Sequence, residues 1–116
     1  MENKFIEIFT GLKRDYGYAD INSAYKDPST GKLKLKYGWA AKELLESDYL
    51  DHLTGKKSIG IQPCNDEGLA KFGAIDIDSD EYDNFDLRKY LEIIDKKNIP
   101  VVPVKSKSGG LHIYVF

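Results

Sequence analysis

The order of elements between Phe72 and Phe116 constrains this chain more than any other feature. "FGAIDID" alternates its side chains with the period of two that marks a strand. "FDLRKYLEIIDKKN" then spaces Leu87, Tyr90, Leu91 and Ile94 along one stripe of a helix. Asn84 or Asp83 is expected to cap that helix and Pro100 to end it. "VVPVK" is a second strand, and Pro103, which lacks an N–H for the ladder, places it at an edge or a bulge. "SKSGG" turns the chain and "LHIYVF" forms a third strand. Strand, helix, strand, strand opens a split β-α-β sheet, so the class is α+β.

The N-terminal half is read more coarsely. "NKFIEIFTGLKRDYG" spaces Phe5, Ile8, Phe9 and Leu12 at helical intervals and predicts a first helix closing on Gly17. "ADINSAYKDPSTGKLKLKYG" is turn-rich, with "DPSTG" its clearest loop and "KLKLKY" a short strand carrying Lys32, Lys34 and Lys36 on one face. "WAAKELLESDYLDHL" predicts a second helix packing through Trp39, Leu44, Leu45 and Leu53. Two strands follow, around Ser58–Gln62 and Lys71–Asp78, joined by the polar "NDEG" loop and expected to pair with each other.

Composition bounds the function classes. At 116 residues the chain makes one domain with a modest core. Its net charge of −2 supplies no global field for a polyanion, so nucleic-acid binding must use local patches. The single Cys64 excludes an internal disulfide and fits a reducing compartment. "MENKFIEIF" is too polar for a signal peptide and no apolar run reaches membrane-spanning length, so a cytoplasmic setting is expected. The chain stops inside the apolar alternation of "LHIYVF", which reads as an interrupted domain.

Six acidic residues and no basic one lie from Asp76 to Asp86. Strand geometry puts Asp76 and Asp78 on one face, with Phe72 and Ala74, and turns Ile75 and Ile77 toward the expected core. Two carboxylates one pleat apart, roughly 6 to 7 Å between Cα atoms, can converge on a hard cation; otherwise they are an acidic, solvated strand end. An EF-hand frame over "DIDSDEYDNFDL" fails, because Glu81 stands where glycine is needed and Leu87 where glutamate is needed. Asp80, Glu81, Asp83 and Asp86 read as a solvated loop that favours the N-terminus of the following helix.

"KSKSGGLHIYVF" is the second constellation. Ser108, Gly109 and Gly110 form a tight turn whose N–H groups can face an anion, with Lys105 and Lys107 adding positive charge; a plain hairpin turn is the competing reading. His112, Tyr114 and Phe116 share the face beyond it. In "HLTGKKSIGIQP", His52, Lys56 and Lys57 read as a solvated turn or a basic lip beside a metal site.

In this order "HLTGKKSIGIQP", "FGAIDIDS" and "VKSKSGGLHIYVF" resemble the archaeo-eukaryotic primase superfamily, in particular the primase-polymerase domains of phages and TOTE conflict systems. "FTGLKRDYGY" and "YGWAAKELL" resemble the same group's lead-in module. The resemblance implies one primase-polymerase-like domain, with residues 1–57 as lead-in module and 58–116 as an incomplete RRM-like catalytic sheet. It implies divalent metal, Mg²⁺ or Mn²⁺, on Asp76 and Asp78, and nucleotide phosphates on Ser108 and His112 with Gly109 and Gly110 allowing close approach. His112 thereby joins Asp76 and Asp78 as a catalytic candidate. Implied partners are nucleoside triphosphates, a DNA template and primer, and a completing C-terminal segment or helicase-type partner, with no membrane. The family's third carboxylate has no counterpart before Phe116, so the expected chain is the N-terminal portion of such a domain. A nucleotide- or nucleic-acid-binding remnant without catalysis and a metal-dependent nuclease or phosphatase remain the alternatives.

Overall fold

The structure, a computed structural model, describes residues 2–116. It is α+β, with helices α1 (Glu2–Ile8), α2 (Glu46–Leu53) and α3 (Leu87–Lys96) and two small antiparallel sheets. The strands are β1 (Tyr16–Lys26), β2 (Leu33–Ala40), β3 (Ser58–Gly60), β4 (Gly73–Ile77), β5 (Val102–Lys105) and β6 (Leu111–Val115). The chain divides into two compact units, one running to Lys71 and one from Phe72 to Phe116.

In the N-terminal unit the strand order is β2-β1-β3. β1 and β2 form a hairpin around "DPSTG", where Asp27 Oδ1 accepts from the Ser29 N–H at 2.8 Å and Gly31 adopts a φ of +67°. Lys34, paired with Asp27, holds that carboxyl far below its usual range. β3 pairs with β1, in the register Tyr18↔Ile59, rather than with the Asp76 strand as expected. The first helix stops at Ile8 instead of Gly17, because the chain beyond it is drawn to another backbone. Leu12 N–H donates to Gln62 O at 2.9 Å, and a Cβ on Gly11 would lie 2.0 Å from that oxygen. α2 likewise starts seven residues later than Trp39, which belongs to β2. Of its four expected packing residues Leu44 alone is buried; Trp39, Leu45 and Leu53 are exposed.

Tyr16, Leu44 and Tyr49 form the core, with Phe5, Ile6, Ala40, Ile59 and Ile61 against it. A polar triad is sealed into its edge. Buried Asp48 pairs with Lys57, Tyr16 donates to Asp48 Oδ1 at 3.3 Å, and Lys57 Nζ donates to the Tyr16 hydroxyl at 2.6 Å. Asp48 Oδ2 also accepts from the Leu45 N–H at 2.9 Å, closing the first turn of α2. Lys57 is therefore a structural cation, and His52 accepts from the Ile59 N–H at 3.4 Å; neither lies in a freely solvated turn.

In the C-terminal unit β6 sits between β4 and β5, antiparallel to both, which is the split β-α-β order expected. β5, with Pro103, is at the edge as its proline requires. α3 is capped by Asp86, whose Oδ1 accepts from Lys89 N–H at 3.2 Å, and not by Asn84 or Asp83. Asn84 instead takes a left-handed φ of 62° just before the helix. Leu111 is fully buried, but Ile75, expected in the core, is 54% exposed. Among the described residues no helix is long and apolar enough to cross a membrane.

The triad predicts a pH profile of stability. Burial pushes Asp48 up, but Lys57 and the Leu45 N–H outweigh it, so its pKa lies below the ordinary 3.8. Burial pushes Lys57 down, but Asp48 and Tyr16 outweigh that, so its pKa lies above the ordinary 10.5. The Asp48 contribution is full above pH 3.8 and is lost as pH falls through its depressed value. The Lys57 contribution is full below pH 10.5 and is lost as pH rises through its elevated value. Urea unfolding at neutral pH should show Asp48→Ala losing about 2 kcal/mol, discounted because Lys57 reaches solvent, and Asp48→Leu/Lys57→Met losing less than the single change. Equal losses would contradict the triad.

Candidate active site

The sheet of the C-terminal unit brings the carboxylate strand and the glycine turn together through one register. Asp76 stands opposite His112, and Ala74 opposite Tyr114, in the β4–β6 ladder; Val104 and Val102 face His112 and Tyr114 from β5. Period two then places Asp76, His112, Tyr114, Val102 and Val104 on one face, as the alternation of "LHIYVF" predicts. His112 Nε2 lies 3.3 Å from Asp76 Oδ1. Its ring meets Tyr114 edge-on at 6.4 Å, and Tyr114 stacks with Phe116 at 6.4 Å.

The Asp76 side chain is 63% exposed, so its pairing with His112 adds little to stability. Asp78 lies just past the end of β4, half-buried, and its carboxylate has no partner among the described residues. Asp76 with one oxygen turned to His112, and Asp78 with both oxygens unclaimed, offer hard oxygen donors of the type Mg²⁺ and Mn²⁺ take. The donor set fits a cation held by two carboxylates and completed by other oxygens. Among the described residues no group of three or more His, Cys, Asp or Glu gathers around one point. Asp80 and Asp83 thus do not supply a third arm there.

The turn after β5 is fastened directly to the end of β4. A Cβ on Gly110 would lie 2.2 Å from Ile77 O and 3.2 Å from Ser79 N, so only glycine lets the two backbones meet. Gly109 takes a φ of +91°, and its N–H donates to Ser106 O at 3.1 Å, while Ser106 N–H donates to Gly110 O at 3.0 Å. The Gly109 N–H is therefore taken up inside the turn. The Lys107 and Ser108 N–H groups have no hydrogen bond among the described residues. Lys107 is exposed on the turn, whereas Lys105 is in register with Leu111 and leaves the sheet on the opposite face from Asp76.

Two residues beyond the sequence candidates hold this turn. Ser79 Oγ donates to Ser108 O at 3.4 Å, and the hydroxyls of buried Ser106 and Ser108 are 3.1 Å apart. Their only trace in the sequence is position: Ser79 follows the D-x-D pair and Ser106 precedes the glycine turn.

Gly110→Ala should lower the unfolding free energy by about 1–3 kcal/mol, because the added methyl meets backbone rather than a side chain that can rotate away. Gly73→Ala, in the same sheet with nothing within 4 Å of the added carbon, should be neutral or slightly stabilising. Thermal denaturation of both variants checks the contrast, and a tolerated Gly110→Ala would contradict the close approach.

Comparison with known proteins bears on the same stretches. No curated protein matches the chain. The family model described as the TOTE conflict system, Archaeo-Eukaryotic Primase domain matches residues 12–116, which takes in every candidate above. With nearly its whole length matched and its D-x-D strand laddered to its S-G-G-x-H strand, the chain belongs to the archaeo-eukaryotic primase domain family of TOTE conflict systems.

Proposed function

We propose that this chain is a DNA primase/polymerase-type nucleotidyltransferase module, with Asp76 and Asp78 as the metal ligands and the Ser108–Gly110 turn as the triphosphate seat. The observation that carries the reading is the Asp76↔His112 register, in a family that generally depends on divalent metal. A carboxylate pair and a phosphate-type turn are tied at one end of one sheet, and His112 spans from one toward the other.

Each residue has a role in this reading. Asp76 and Asp78 would hold Mg²⁺ or Mn²⁺, which when bound would supply positive charge and Lewis acidity for nucleotidyl transfer from a triphosphate. His112 Nε2 donates to Asp76 or to a phosphate oxygen brought beside it, holding the carboxylate in place until the nucleotide arrives. The N–H groups of Lys107 and Ser108, the Ser108 hydroxyl and the Lys107 ammonium face the phosphates, and Gly109 and Gly110 keep the turn free of side chains. Lys105, on the other face, contributes only longer-range positive charge. The substrates are nucleoside triphosphates on a DNA template and primer. Residues 1–57 serve as the lead-in module to residues 58–116.

A primed DNA template, nucleoside triphosphates and Mn²⁺ test this directly. Extension with pyrophosphate release is expected, and Asp76→Ala/Asp78→Ala should reduce it about 100-fold or more. His112→Ala should weaken nucleotide affinity roughly tenfold, a loss of about 1.4 kcal/mol. Variants equal to the parent chain would contradict the assignment, and strand cleavage in place of pyrophosphate release would favour a nuclease.

A further inference from the structure

The sheet of the C-terminal unit carries an apolar row, beyond the Asp76–His112 pair, that the metal and phosphate roles do not use. His112 and Tyr114 share one face of β6, and Phe116 follows just past the strand at the same period. In the ladders Tyr114 stands between Ala74 of β4 and Val102 of β5, next to the row of Asp76, His112 and Val104. Ala74 is exposed, Val102 is 49% exposed and Val104 is 45% exposed. Leu111, the fully buried side chain of β6, leaves the strand on the opposite face.

Apolar side chains on the wet side of an antiparallel sheet run against its usual alternation of apolar inside and polar outside. Adjacent strands lie roughly 5 Å apart, so Ala74, Tyr114 and Val102 span roughly 10 Å, wide enough for a planar heterocycle. The tyrosine ring stands between a methyl and an isopropyl group. His112 meets that ring edge-on at 6.4 Å, and Phe116 lies nearly parallel to it, with 20° between the planes. Both arrangements are favoured ones for aromatic pairs, so the ring is held in position from two sides.

Position along the strand names the occupant. From Gly110 to Tyr114 the extended chain advances four residues, roughly 13 Å, the reach of a nucleoside triphosphate from its phosphates to its base. His112, halfway, lies 3.3 Å from the Asp76 carboxylate. A triphosphate seated at the glycine turn would carry its sugar past His112 and Val104 and bring its base to the Tyr114 row. Ala74 and Val102 have no hydrogen-bonding side chain, so the row can stack a base but has little with which to read its edge.

We infer that Tyr114, flanked by Ala74 and Val102, is the stacking platform for the base of the incoming nucleoside triphosphate, taking purines and pyrimidines alike. The inference rests on the metal–phosphate reading of Asp76, Asp78 and the Ser108–Gly110 turn. It adds to that reading the residue that tells a nucleotide from a bare sugar phosphate.

Calorimetric titration of the full chain in Mn²⁺ tests the platform by comparing dATP and dCTP with abasic deoxyribose triphosphate, which keeps the charge and lacks only the base. Both nucleotides should bind the parent chain about tenfold tighter than the abasic compound. Tyr114→Ala should remove that margin and leave the abasic affinity unchanged, and Tyr114→Phe should keep it to within about twofold. Val102→Ala, at an exposed edge position, should narrow it about two- to threefold, with circular dichroism showing that each variant folds like the parent. Equal affinities in the parent, a margin that Tyr114→Ala or Val102→Ala leaves intact, or loss of abasic binding in Tyr114→Ala would each overturn the inference while the metal–phosphate reading stands. Binding of none of the three ligands to the parent would overturn that reading, and the platform with it.

Discussion

The position of β6 between β4 and β5 is the constraint on which the candidate site depends. An antiparallel strand paired on both sides can slide in neither ladder without turning every side chain to the wrong face. That pairing fixes Asp76 against His112 and Val104 against His112 at once. It also brings the start of β6 to the end of β4, where Gly110 meets Ile77 O too closely for any side chain. Buried Leu111, in register with Ile77, anchors the same end. The meeting of the D-x-D strand with the glycine turn is a consequence of one register.

The N-terminal unit rests on a different device. Asp48 is joined to the sheet through Tyr16, to the segment before β3 through Lys57, and to the start of α2 through the Leu45 N–H. A buried carboxylate with three partners holds elements that are far apart in sequence, and removing any partner leaves a polar group unsatisfied inside.

What could be read from the sequence divides along the same physical line. The C-terminal unit was legible because its strands alternate cleanly, its helix has one apolar stripe, and Pro103 and Gly109–Gly110 punctuate them. Period two alone put His112 and Tyr114 on one face of their strand; that Asp76 shares it came from the β4–β6 register. β1 was not legible, because "YGYADINSAYK" is rich in Gly, Asp, Asn and Ser, which strands disfavour; it is a strand through pairing with β2 and β3 on either side. The end of α1 was missed for a related reason, since Gly11 answers to Gln62, which lies far along the chain. Lys57 looked like one more surface lysine, and nothing local announces its pairing with Asp48. Lys105 looked equivalent to Lys107 until the β5–β6 register put it on the opposite face.

The central claim is that Asp76 and Asp78 with the Ser108–Gly110 turn form one metal–nucleotide site. Paramagnetic broadening of backbone amide signals by sub-stoichiometric Mn²⁺, with a nucleoside triphosphate present, tests it most directly. The account predicts that the signals of residues 76–79 and 106–112 broaden first and together. Selective broadening around the acidic loop of residues 80–86, with the glycine turn unaffected, would contradict it.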